Sequence, residues 1–297
     1  MTISNDNAKT VRKKFHELQT LQNIISQSVL YSTTDSNGKI VSVSKAFENL
    51  TGYKESEVIG KSHNIFKTPD TPSEFYKQMW SQLLQNNKFE GEVKNYKKNK
   101  EEYWINLTIH PLFDEDGEKI GYASYRENIT DKKKLEYIST HDTLTNIYNR
   151  VYFDTMLDQH IQKANTSGHQ FGLMMLDIDY FKNINDLYGH NVGDTVLKKI
   201  AKILQENVDE NEVAARWGGE EFVIIFSNNN KKNKMNLANK IREQLENSSI
   251  LDAIEITASF GVGHYVKNES KTSFFERIDK ALYTAKKNGR NMVIDAD

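Results

Sequence analysis

The sequence predicts an α+β chain of two domains joined by a short helical linker, and three observations carry that prediction. The chain has 297 residues, enough for about two domains that each bury their own core. From Leu30 to about residue 128 the pattern is one of short strands punctuated by Asn-Gly and Asp-Gly turns, and from Phe171 onward strands alternate with helices. The later order of strand, helix, strand, strand, helix, strand is the ferredoxin-like arrangement. The expected units are a helix over 1–29, a small α+β domain over 30–128, a linker over 129–140 and a second domain over 141–297.

Taken in order, Ala8 to Val29 carries Val11, Phe15, Leu18, Leu21, Ile24 and Ile25 at helical spacing with basic residues between them, an amphipathic helix. Ile40 to Val43 and Tyr103 to Ile109 read as strands, with turns at Asn37-Gly38 and Asp116-Gly117. Ile129-Thr130-Asp131 offers an N-cap to Lys132 through Ile138, where Leu135 and Ile138 share a face. Two copies of such a helix bury that seam as a coiled coil; a single copy packs on its own domain or stays solvated. Gly172 to Asp177, Val213 to Trp217, Phe222 to Phe226 and Ile254 to His264 then read as strands. Val192 to Val208, Lys231 to Glu246 and Ser273 to Lys287 read as helices, the first with Val196, Ile200, Ile203 and Leu204 on one face.

Composition excludes several classes. With no cysteine, disulfides, thiolate metal sites and cysteine nucleophiles are out. A net charge of -2 argues against nucleic acid as a partner. No apolar run approaches the roughly 20 residues of a membrane span, and the first residues lack the basic start and apolar core of a signal peptide. A cytoplasmic protein acting on small molecules, with no membrane and no nucleic acid, is the expectation.

The chemistry gathers at two strand ends. In Arg216-Trp217-Gly218-Gly219-Glu220-Glu221-Phe222 two glycines supply the positive φ of a tight turn, and two acids follow it. In Leu173 to Asp179 an apolar run ends in Asp177-Ile178-Asp179. Side by side, such ends suit divalent cations, for which carboxylate oxygen is the preferred ligand.

This turn and its flanks resemble the GGDEF family of diguanylate cyclases in the Gly-Gly-Glu-Glu-Phe form. The likeness extends over Asp142 to Arg150, Asp177 to Asp186, Gly189 to Asp194 and Ala281 to Asn291, and covers Ser139 to the last residue. It implies the palm fold of nucleotide cyclases and polymerases, with GTP as substrate, cyclic di-GMP as product and a homodimer as the active form. It also implies Mg²⁺ or Mn²⁺ held by Asp177, Glu220 and the Ile178 carbonyl, with Glu221 and Asp179 as further candidates. Lys182, Lys286 and Arg290, with the peptide amides at Phe181 and Lys182, match the phosphate-binding positions. Asn185 and Asp194 match the guanine-contacting ones; as an amide donor and a carboxylate they also suit guanine's edge, although Asp194, near a helix start, also reads as a cap. The general base stays open between Glu221 and a metal-bound hydroxide. Where many members carry an inhibitory Arg-x-x-Asp, this chain has Asp209-Glu210-Asn211-Glu212, so product inhibition is expected to be absent. The competing reading is a catalytically silent nucleotide sensor or docking module; the retained acids and glycines favour the enzyme.

The first domain resembles a PAS sensor in Ser44 to Tyr53 and Glu57 to Lys61. The run His63 to Pro72 with Met79-Trp80, Phe89-Glu90-Gly91, Asn95 and Tyr103-Trp104 is similar to the flavin-binding branch, though Lys67-Thr68 stands where the aerotaxis type has Arg-His. That branch implies FAD contacted by Asn95, Trp80 and Asp70. Haem, a small metabolite or no ligand fits such a domain as well.

Overall fold

The computed structural model describes residues 2–209, 211–226, 231–250 and 254–297. Contacts divide the chain into two units, Met1–Lys134 and Leu135–Asp297.

The first unit opens with α1 (Thr2–Ser28), whose Val11, Phe15, Leu18, Leu21, Ile24 and Ile25 all remain exposed. It continues with β1 (Leu30–Asp35), β2 (Ile40–Val43), α2 (Lys45–Thr51), α3 (Glu55–Val58), α4 (Ser73–Leu84), β3 (Phe89–Tyr96), β4 (Glu102–Phe113) and β5 (Lys119–Asn128). The strands form one antiparallel sheet in the order β2-β1-β5-β4-β3. Local chemistry sets the turns. Asp35 Oδ1 accepts from the amides of Asn37 and Lys39 at 2.9 and 2.8 Å while Gly38 takes φ 75°. Helix α2 starts where the Ser44 hydroxyl accepts from the Phe47 amide and stops at Gly52 in the left-handed region. Along β5 the two-residue period turns Tyr122, Ser124 and Arg126 to the buried side. There Met79, Leu83, Phe89 and Tyr122 make one apolar cluster, and Val93, Tyr103, Ile105 and Leu107 another.

Helix α5 (Thr130–Thr140) follows, with Leu135 and Ile138 exposed. The side-chain acceptor at its start is Asn128, which takes the Thr130 amide at 3.1 Å and hydroxyl at 2.6 Å. The cap thus lies ahead of the Ile129-Thr130-Asp131 run that the sequence suggested.

The second unit comprises β6 (Tyr148–Asn149), α6 (Arg150–Ser167), β7 (Gly172–Ile178), α7 (Phe181–Tyr188), α8 (His190–Asn207), β8 (Val213–Gly218), β9 (Glu221–Phe226), α9 (Lys231–Glu246), β10 (Ser249–Ile250), β11 (Ile254–Glu255), β12 (Ala258–His264), α10 (Lys271–Lys287) and β13 (Val293–Asp295). The sheet order is β13-β12-β7-β9-β8-β6. Its four central strands are antiparallel and follow the ferredoxin-like order, with β13 and β6 added in parallel at the two edges. Strand β7 is buried throughout, which is why it reads as an unbroken apolar run. Met174 and Leu176 pack with Val196, Ile200 and Leu204 of α8, whereas Leu173 and Met175 pack with Phe153 and Leu157 of α6 and Phe274 and Ile278 of α10.

Three differences from the sequence reading have local causes. The strand expected over Ile254 to His264 is interrupted, because Ile254–Glu255 pairs with Ser249–Ile250 while the Thr257 carbonyl accepts the Asp179 amide at 2.9 Å. Helix α8 begins at His190, where Gly189 turns the chain at φ 84°. Helix α6 was not anticipated, since its buried residues, Phe153, Leu157, His160 and Ala164, form a narrow stripe that includes a histidine.

Candidate functional site

The Gly-Gly turn joins β8 to β9, and of its two glycines only Gly219 lies at positive φ, 50°. Gly218 still belongs to β8 and opposes Glu221, with the register shifting between Arg216 and Gly218. The expectation of positive φ at both glycines is therefore corrected. The turn is held from below. Arg216 Nε and Nη2 donate to the Gly219 carbonyl at 3.0 and 2.7 Å, and its Nη1 donates to the Asp142 carboxylate at 3.2 Å. Asp142 also accepts from the Thr145 amide and hydroxyl at 2.9 and 2.6 Å. Neither role was assigned from sequence; the Asp142-x-x-Thr145 spacing, a local side-chain-to-amide turn, was the available signal.

On the neighbouring strand Asp177 opposes Glu221, and the Ile178 amide donates to the Glu220 carbonyl at 3.4 Å. Asp177, Glu220 and Glu221 therefore end adjacent strands together. All three titrate above the ordinary carboxylate range. Burial is the main cause in each; the charge of Asp177 adds to it at both glutamates, and at Asp177 it outweighs the opposing hydrogen bond from Lys286 Nζ at 2.8 Å. Carboxylates gathered and desolvated in this way favour a bound cation. Among the described residues no three acidic or histidine side chains converge tightly enough to cage a metal alone. Mg²⁺ needs no such cage, as it usually takes one or two carboxylates and completes its octahedron with phosphate oxygens and water. The donor set of Asp177, Glu220 and the Ile178 carbonyl fits that habit.

Asp179, two residues on, behaves differently. It is 5% exposed and accepts from Thr257 Oγ1 at 2.8 Å, Ser259 Oγ at 2.7 Å and the Asn291 amide at 3.0 Å. Its oxygens are engaged in bracing the sheet.

Helix α10 and the turn after it bring the basic groups in. Lys286 pairs with Asp177, and Arg290, at φ 67°, lies 4.3 Å over the Tyr180 ring and donates to its hydroxyl at 3.2 Å. Tyr180, itself left-handed at φ 56°, starts α7, so that Phe181 is buried while Lys182 is exposed on the first turn. Lys182 makes no ion pair among the described residues. Asn185 on α7 lies against α8: a Cβ on Gly193 would sit 1.9 Å from Asn185 Oδ1, so only glycine leaves room for that amide. Asp194 is next in the chain. Because α8 starts at His190, Asp194 lies a turn inside the helix, and the cap role is overturned. Asp209 and Glu212 close a small turn on each other; Glu210 lies outside the described residues.

The first unit encloses a cavity of about 360 Å³ between α4 and the sheet. Asn95 and Trp80 line it. Asp70 does not, and its carboxylate accepts from Lys94 Nζ at 2.6 Å instead. Arg126 was not singled out from sequence, yet it reaches the cavity from β5 at 7% exposure.

Compared with known proteins, residues 139–292 match the family described as diguanylate cyclase, GGDEF domain, and residues 26–131 match a PAS domain. Diguanylate cyclase A of Treponema denticola is 42% identical over 178 residues, 58% of this chain and 48% of that protein. Diguanylate cyclase DgcM of Escherichia coli is 37% identical over 173 residues, 57% of this chain and 42% of that protein. The chain thus spans about half the length of these curated relatives. The crystal structure of the coiled coil and GGDEF domain of DgcB from Caulobacter crescentus, in complex with c-di-GMP, superposes with a TM-score of 0.54 at 33% identity, covering 56% of this chain and 90% of that one. Among the described residues no helix is long and apolar enough to cross a membrane.

Proposed function

Since the chain belongs to the GGDEF-domain family of diguanylate cyclases and carries a PAS domain ahead of that unit, we propose that it condenses two GTP into cyclic di-GMP and two pyrophosphates under PAS control. The observation that carries this reading is the trio of Asp177, Glu220 and Glu221, raised together at adjacent strand ends beside Lys286.

Asp177, Glu220 and the Ile178 carbonyl are the groups that would hold Mg²⁺ or Mn²⁺, which when bound neutralises the triphosphate and the charge on the reacting oxygens. Lys182, Lys286, Arg290 and the amides of Phe181 and Lys182 bind the phosphate tail. Asn185 donates to the guanine O6, and Asp194 accepts from its N1–H and N2–H. Adenine leaves that carboxylate unpaired, at a cost on the order of 1–3 kcal/mol. Glu221, with its raised affinity for a proton, takes the proton of the attacking 3′-hydroxyl. That oxygen bonds to the α-phosphorus of the other GTP as the α–β anhydride breaks and pyrophosphate leaves, and the reciprocal step closes the ring. One guanine site per chain requires two chains facing each other, and the exposed seam of Leu135 and Ile138 is a surface on which a homodimer forms. Asp209 and Glu212, acidic where many relatives bind product through arginine, repel a dianionic dinucleotide, so added cyclic di-GMP leaves turnover unchanged.

For the sensor, the FAD reading draws on Asn95 and Trp80, and a visible absorption spectrum separates flavin and haem from a colourless occupant. For the catalytic unit, purified protein is supplied with GTP and Mg²⁺ or Mn²⁺ and the product read by chromatography. Cyclic di-GMP from GTP but not ATP, lost in Asp177→Asn and Glu220→Gln, is expected; formation undiminished in both variants sinks the proposal.

A further inference from the structure

Among the described residues Arg126 is a charge without a counter-charge. Its guanidinium donates to Ser32 Oγ at 3.1 Å and lies 5.1 Å from the Phe47 ring centre, and no carboxylate pairs with it among the described residues. Ser32 Oγ is in turn bonded to Ser124 Oγ and His63 Nε2, both at 2.9 Å, so the polar groups around the arginine already engage one another, and Arg126, which lines the cavity, makes no further side-chain hydrogen bond among the described residues. Burial lowers Arg126 only to about 10, so it stays protonated near neutral pH, and burial together with that charge drives His63 down to about 3. Buried cations are ordinarily paired, because desolvation without compensation costs several kcal/mol.

Apolar and aromatic side chains make up most of the remaining wall, beside polar groups that include His63, Asn95 and, exposed at the cavity's edge over the Tyr76 ring, Lys67. Phe75, Met79 and Leu83 face Ile105, Leu107 and Ile109 across the cavity. Its volume of about 360 Å³ lies at the small end of pockets for organic ligands. The geometry points to a small organic monocarboxylate as the ligand of this cavity, its apolar body between α4 and β4 and its carboxylate on the guanidinium of Arg126. A guanidinium fork matches a carboxylate in two parallel hydrogen bonds; Asn95 also lines the cavity, and Ser124 Oγ, bonded to Ser32, holds the serine that Arg126 grips. A neutral ligand of the same shape leaves the arginine uncompensated. This assignment rests on reading the first unit as a sensor and is independent of the cyclase reaction.

The test uses the full chain and matched probes: hexanoate, octanoate and 3-phenylpropanoate, each beside its primary amide, followed by thermal shift and calorimetric titration. The acids are expected to raise the melting temperature and to bind about tenfold or more tightly than their amides, as befits a charge-assisted bond. Arg126→Met removes that preference, and Ser124→Ala weakens it less. If Arg126→Met does not fold, the acid-against-amide comparison on the unaltered chain decides. Equal binding of acid and amide, no binding of any acid at millimolar concentration, or a flavin or haem purifying in the cavity overturns the assignment. Acid binding that leaves cyclic di-GMP output unchanged supports the ligand site and counts against the sensor role alone.

Discussion

Arg126 in the first unit and Asp179 in the second are both buried charges, 7% and 5% exposed. Asp179 receives three hydrogen bonds from Thr257, Ser259 and Asn291, whereas Arg126 gives one, to Ser32. A buried charge met on all sides by the protein is part of the scaffold; one facing open space beside a cavity is poised for something that arrives. Asp177, two residues before Asp179, belongs with Arg126 in this respect. It is pushed up by burial and by the charge of Asp179, against the pull of Lys286, which bonds to it, and of the Arg290 charge.

That contrast can be broken by substitution. The largest effect is expected at Asp177 and Glu220, where Asn and Gln lower cyclic di-GMP formation by about 10³-fold or more, about 4 kcal/mol in barrier, while the melting temperature holds or rises. A matching loss of stability would place Asp177 with the scaffold. Next comes Asp179→Asn, which sets an amide against three donors. A loss of about 3 kcal/mol is expected in urea unfolding; no loss would remove the distinction from Asp177. Arg126→Met should go the other way, leaving the ligand-free chain equally stable or up to about 2 kcal/mol more so, measured by the same unfolding curve.

The smallest effect is in pH. Asp177, Glu220 and Glu221 bind protons more tightly folded than unfolded, so their contribution favours folding at low pH and is lost as pH rises from the ordinary carboxylate range through their raised values. Asp177→Asn is expected to match or exceed the unaltered chain near pH 7, and that difference to shrink towards pH 4. Stabilisation by added Mg²⁺ should grow over the same rise, since protons compete for the same oxygens. Melting curves across pH with and without Mg²⁺ check both signs.

What the sequence made legible was local. The apolar run of β7, the glycines ahead of Glu220 and the amphipathic face of α8 are each written within a few consecutive residues; the pairing of the two acidic strand ends, distant in the chain, came through the family resemblance. The roles that escaped depend on partners far along the chain. Asp177 and Asp179 look alike in Asp177-Ile178-Asp179, and only Thr257, Ser259 and Asn291 tell them apart. The cap alternative for Asp194, beside its match to a guanine contact, follows from starting the helix near Val192; Gly189 starts it earlier. Arg126 sits in Tyr122-x-Ser124-x-Arg126, a strand alternation whose inward side is defined only once Ser32 and α4 close over it.

The brace under the Gly-Gly turn sets how stiffly its acids are tethered. From the last turn of α5 the route is short: the Ser139 carbonyl accepts from Asn149 Nδ2 at 3.0 Å, that same side chain reaches the His141 carbonyl at 3.4 Å, and the adjoining Asp142 grips Arg216, which grips Gly219. A single planar guanidinium spans the last two steps, and no lysine spans both with the same fixed geometry. Twisting the end of α5 must therefore either snap one of these links or drag the hairpin along, so the sheet end that carries Glu220 and Glu221 is geared to the helix that leads into it.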